Sequence, residues 1–279
     1  MDIRCANFFP SNTISLTLIN CKYIDLIRFS QLYSLILHNP NQALAQKIQP
    51  EFFPHLKYLS IAFSCHTFTH WWNSLHHRIF SNKFLKLYKA CLACLCLPST
   101  KSVWRGSPSI TKLEINEVNR TGFLHILLYA CPNLRFLRFR PGPYRSDLTT
   151  VFKDGRGSTI DENIIPSSAA PHYQLQRLEV LSSDYMNYEF FASLLQCLPN
   201  LKQLRFEHRF FDVAFALFEF IATELTTSTP ILESFYSTMT DTQPIAIDET
   251  IRRNIQDLHS LFNIVKLNDS GHLIVSSFL

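Results

Sequence analysis

Six stretches of this chain repeat one short phrase: a turn residue, often proline, followed by apolar–x–x–apolar–x–apolar. They lie at residues 56–61, 110–115, 134–139, 175–180, 201–206 and 232–237, with Pro54, Pro108, Pro132, Pro199 and Pro230 just ahead of five of them. A unit this short cannot bury its own apolar face and must stack on a copy of itself, which is the mark of a solenoid.

Weaker copies fill the gaps. Residues 13–18 and 32–37 follow the same rule, and residues 84–92 match 53–61 position by position. A degenerate last copy begins at Ile264. The phrase starts (13, 32, 56, 87, 110, 134, 175, 201, 232 and 264) are mostly separated by intervals that suit a leucine-rich repeat, with some units lengthened.

Between phrases the apolar period changes from two to helical spacing. Thr121 is placed to cap a helix carrying Phe123, Ile126, Leu127 and Ala130, and Asn187 one carrying Phe190, Phe191, Leu194 and Leu195. Asp212 opens a third with Phe215, Phe218 and Ile221. The spacing of Ile251, Ile255, Leu258 and Phe262 predicts a fourth. Strand, turn, helix, turn and next strand predict an α/β leucine-rich-repeat solenoid. It would be a horseshoe with a parallel concave sheet and convex helices. The expectation is a single domain over 1–279, about ten irregular repeats with a loop insertion at about 141–172 that is rich in Pro and Gly.

The phrase resembles that of intracellular leucine-rich-repeat proteins, and among them it is most similar to the F-box/leucine-rich-repeat type. The resemblance covers roughly residues 13–267. It implies a repeat array that recruits a target protein, as a target-recognition subunit of a ubiquitin ligase does. No F-box helix pattern stands in the 12 residues before the first strand phrase.

Composition narrows the function classes. Apolar residues make up 47% of the chain and Phe alone contributes 24, enough for a continuous core. A net charge of +4 is too weak to imply nucleic acid, and no apolar run is long enough to span a membrane. Neither partner is expected. The eight cysteines fall irregularly inside apolar phrases, which predicts reduced thiols and a cytoplasmic or nuclear location.

Strand alternation sends the first, fourth and sixth phrase positions into the core and leaves the third, fifth and seventh on the concave face. The candidate partner-binding residues are therefore Lys112, Glu114, Phe136, Arg138, Arg140, Arg177, Glu179, Gln203 and Arg205. Four fifth positions (Glu114, Arg138, Glu179 and Arg205) would form an acid–base–acid–base row, acting either as an ion-pair ladder or as charge complementarity to a ligand. Phe136 is the expected apolar anchor.

Two other readings stay open. Cys91, Cys94 and Cys96, with Cys65, His66, His70, His76 and His77, carry zinc-ligand chemistry and would suit a metal-dependent enzyme built on the region 65–96, although finger spacing is missing. Alternatively, the chain is a truncated repeat fragment without a function. No nucleophile–base–orienter set, phosphate loop or dinucleotide fingerprint is found, so no catalytic residue, metal or cofactor is expected.

Overall fold

The computed structural model describes residues 13–21, 24–63, 71–95, 104, 106–118, 123–142, 170–181, 188–208, 214–240 and 249–277. It is an α/β fold whose described strands are mostly parallel. Backbone contacts divide the chain into two compact units. The first comprises Met1–Glu117 and Leu127–Leu137, the second Val118–Ile126 and Arg138–Leu279.

In the first unit, β1 (Ser15–Ile19), β2 (Ser34–His38), β3 (Tyr58–Ala62), β4 (Lys89–Leu92) and β5 (Lys112–Val118) lie side by side in sequence order. Every neighbouring pair is parallel, and the register aligns equivalent phrase positions: Leu16 with Leu35, Leu35 with Leu59, Leu59 with Ala90, Ala90 with Leu113. The match of 84–92 to 53–61 is thus a spatial match as well. A one-turn 3-10 helix (Leu26–Phe29), α1 (Gln42–Gln46) and α2 (Trp71–Ile79) connect these strands. Asn41 starts α1 by accepting the Leu44 N–H at 2.8 Å, which satisfies one of the amides a helix start leaves open.

The second unit contains β7 (Arg177–Val180), β8 (Gln203–His208), β9 (Ser234–Met239), β10 (Ile264–Leu267) and β11 (Leu273–Ser276), linked by α4 (Tyr188–Gln196), α5 (Ala214–Ser228) and α6 (Glu249–Leu258). Helix α3 (Phe123–Ala130) and strand β6 (Phe136–Pro141) straddle the division between the units. β7, β8 and β9 are parallel neighbours. The chain then departs from the expected pattern. The copy at Ile264 is not the next parallel neighbour of β9. β11 lies between β9 and β10, antiparallel to both. A short turn makes the reversal. Asn268 Oδ1 accepts the N–H groups of Ser270 and His272, and Gly271 takes a positive φ of 76°.

The prolines ahead of the phrases have one common role. Leu56 N donates to Phe53 O, Ile110 N to Ser107 O, Leu134 N to Cys131 O, Leu201 N to Leu198 O and Leu232 N to Thr229 O. Each closes a four-residue turn with proline second, where its fixed φ fits. Leu32, Leu87 and Phe262 close the same turn without proline. In the fourth complete phrase the imidazole of His172 replaces the carbonyl and accepts the Leu175 N–H. Adjacent turns are then tied together: Asn133 Nδ2 donates to Pro108 O in the first unit, and Asn200 Nδ2 to Tyr173 O in the second, each at 2.9 Å.

The expected core positions of the first five complete phrases are buried, whereas Leu232 of the sixth and Ile264 of the degenerate copy are half-buried and Leu267 is exposed. Leu56, Leu59 and Ile61, then Ile110, Leu113 and Ile115, line the interior of the first unit. Leu175, Leu178 and Val180, then Leu201, Leu204 and Phe206, do so in the second. Phe191 packs on Phe206 with ring centroids 5.1 Å apart, and Phe262 meets both Phe218 and Phe235. Helices α3 to α6 fall where helical spacing predicted them, except that the last ends at Leu258 and Phe262 of the expected stripe closes the turn beyond it. The proposed caps Thr121, Asn187 and Asp212 lie outside the described residues, as does most of the insertion.

Candidate functional site: the open face of the strands

In both units the strands bury alternate side chains and leave the others half-exposed or exposed. The uncovered face of the first unit carries Tyr58, Lys89, Cys91, Lys112 and Glu114 in registered rows. Lys89 Nζ reaches Glu114 at 2.7 Å and lies over the Tyr58 ring, 5.3 Å from its centroid. The carboxylate bond holds the Lys89 ammonium above the usual lysine range. Tyr58 Oη meets Cys91 Sγ at 3.7 Å, and burial pushes both the phenol and the thiol upward. A thiol so placed stays protonated and is a poor nucleophile. Lys112 is exposed and Phe136, whose amide donates to Thr111 O, is half-buried.

On the second unit the open face is organised around one carboxylate. Glu179 has a side chain only 1% exposed, and it accepts from Arg138 Nε at 2.7 Å and from Arg177 Nε at 2.9 Å. A second Arg177 nitrogen, Nη2, closes the fork on the same carboxylate oxygen. Two guanidiniums offset the cost of removing this anion from water. Glu179 stands opposite Arg205 in the register, yet Arg205 Nη2 bonds Glu207 of its own strand at 2.8 Å and its guanidinium lies 5.1 Å from the Tyr236 ring centroid. Arg140 and Gln203 are exposed.

The expected charge row is therefore only partly assembled. Arg138 and Glu179 pair as alternation predicted, whereas Glu114 takes Lys89 and Arg205 takes Glu207. Glu207 stands at a seventh phrase position, which alternation leaves on this face, whereas Lys89 is not among the residues the sequence singles out, its third phrase position being the available signal. Glu179 faces two arginines rather than solvent, so on this face it positions cations.

For the zinc reading, Cys65, His66, His70 and Cys96 lie outside the described residues. Among the described ones no three His, Cys, Asp or Glu side chains gather as a metal would need. His76 is fully buried beside Phe80, and burial pushes its imidazole down to about 4. His77 bonds Ser81 at 3.2 Å. No described helix is long and apolar enough to cross a membrane. No protein-family model matches this chain, and neither the curated proteins nor the solved structures contain a match to it.

Proposed function

We propose that the chain is a non-catalytic binding protein of the leucine-rich-repeat type, a solenoid whose open strand face receives a partner protein. The observation that supports this most is the polar, uncovered face of parallel strands. Parallel sheets are usually covered on both sides, yet here alternate positions of β3, β5, β8 and β9 remain accessible and include Lys, Arg, Gln, Glu and Tyr.

Binding proceeds by rigid presentation. Side chains already fixed by ion pairs and stacked on tyrosines lose little further freedom on contact, so a few anchors dominate affinity. Phe136 and Lys112 serve on the first unit, and Arg138, Arg140, Arg177, Gln203 and Arg205 on the second, with Glu179 holding two of them in place. The family resemblance extends the proposal to target recruitment for a ubiquitin ligase in the cytoplasm or nucleus. Proximity labelling in cells, comparing the intact chain with Phe136→Ala/Arg138→Glu, tests it. The double variant is expected to lose most labelled neighbours, and recovery of an unchanged set sinks the assignment.

A further inference from the structure

The strand starts of the first unit form a second surface. The carbonyls of Ile14, Tyr33, Lys57, Tyr88 and Thr111 each accept the N–H groups of two successive residues on the next strand. That ladder puts Ile14, Tyr33, Lys57, Tyr88, Thr111 and Arg135 in one row along the rim of the unit, at roughly 4.8 Å per strand. Ile14 is 62% and Tyr88 45% exposed, and Leu85, in the turn before β4, is 73% exposed. Lys83 and Lys86, just ahead of β4, are exposed, as is Lys112 at the start of β5.

No carboxylate among the described residues pairs with Lys57, Lys83, Lys86, Lys112 or Arg135. Lys57 lies over the Tyr33 ring and Lys86 meets His55 at 3.0 Å. The imbalance extends to the whole unit, which has 13 Lys and Arg against 5 Asp and Glu, a net charge of +8. The second unit, with 13 against 17, is at −4. The equivalent rim position there is self-compensated, since Lys202 pairs with Glu233 at 2.7 Å.

We infer that this rim binds an acidic segment of a partner protein, one in which carboxylates alternate with apolar side chains. The cations supply charge complementarity and steering, and Ile14, Leu85 and Tyr88 supply apolar contact. A nucleic acid fits less well. Tyr33 is already stacked on His55 with centroids 5.9 Å apart, and Ile14 and Leu85 offer a base nothing to stack on, which leaves Tyr88 as one ring where a strand of successive bases calls for several. The inference rests on the binding-protein reading, but its row lies at the strand starts and the variant that tests it leaves Lys112 and the other open-face residues intact, so the two fail separately.

The test is fluorescence anisotropy of the full chain with a labelled peptide alternating glutamate and leucine. Its glutamine analogue, an oligothymidylate and vesicles rich in phosphatidylserine are run alongside. The acidic peptide is expected to bind best, and raising salt should weaken it. Lys57→Glu/Lys86→Glu/Arg135→Glu, three exposed changes outside the open-face residues, should lower affinity about tenfold or more. Lys202→Glu and the Phe136→Ala/Arg138→Glu variant should leave it unchanged, and circular dichroism confirms that each variant is folded. Equal binding of the glutamine analogue, or indifference to the triple reversal, overturns the inference. Preference for the oligothymidylate or the vesicles replaces it with that ligand. Salt-sensitive self-association of the chain in place of peptide binding overturns it in favour of a second copy.

Discussion

In the first unit Lys89 takes Glu114, but Lys57, Lys86, Lys112 and Arg135, at or just ahead of the strand starts, have no carboxylate partner among the described residues. In the second, Arg138 and Arg177 share a buried Glu179, Arg205 takes Glu207, and Lys202 takes Glu233. The same strand phrase and the same proline turn build both units, so the difference is not one of backbone. One set of turns and strands can carry either a self-neutralised surface or a charged one, depending only on the positions that alternation leaves outside. Architecture and binding chemistry are therefore written in separate residues of the same phrase.

That contrast can be sharpened or broken by experiment. The largest effect is expected from acid. The imidazole of His76 is held near 4 in the folded first unit against about 6.5 when unfolded, so the neutral form is the one the fold favours. Its stabilisation is complete above about pH 6.5, declines as pH falls and is gone below about pH 4, a loss of about 3 kcal/mol. Urea melts across that range should show the decline, and His76→Leu should flatten it. His125 of the second unit, buried beside Phe190 and Cys197, is lowered in the same sense and adds to the slope in the same direction.

Next comes Glu179→Gln. Removing a buried anion from between two cations costs about 3–5 kcal/mol when both partners are buried. Arg138 and Arg177 are partly exposed, at 37% and 52%, and can turn to water, so about 1–2 kcal/mol is expected here. A melting temperature unchanged by this substitution would mean the second unit does not depend on its internal pairing. Asn133→Ala and Asn200→Ala remove equivalent ties between adjacent turns, one in each unit, and each should cost about 1 kcal/mol in denaturant melts. Very unequal costs would break the claim that both units share one scaffold. The smallest effect is expected for Glu114→Gln, which frees a partly exposed lysine and should cost under about 1 kcal/mol in the same melts.

Much of the scaffold was legible in the chain. Period-two phrases located the strands because one face must be apolar, and the five prolines marked the turns because their φ suits the second turn position. The helices followed from i, i+4, i+7 spacing, as at Ile251, Ile255 and Leu258. What the phrases did not reveal were contacts set by side-chain reach between strands. Alternation places Glu179 and Arg205 opposite each other, but rotamers decide that Arg205 turns to Glu207. Asn133 and Asn200 follow proline as ordinary turn residues, and only the neighbouring turn gives them a bond to make. The order of β10 and β11 was hidden for a similar reason. Both are short apolar runs, and pattern alone does not specify direction.

The placement of β11 also has a consequence for biosynthesis. Ile264–Leu267 leaves the ribosome before Leu273–Ser276, the strand that separates it from β9 in the finished fold. Leu273–Ser276 must arrive and slot between its two predecessors before either side is satisfied. These three strands thus complete their pairing only once Leu273–Ser276 is made, and a nascent chain stalled shortly before Leu273 would display β9 as an open template to any strand nearby.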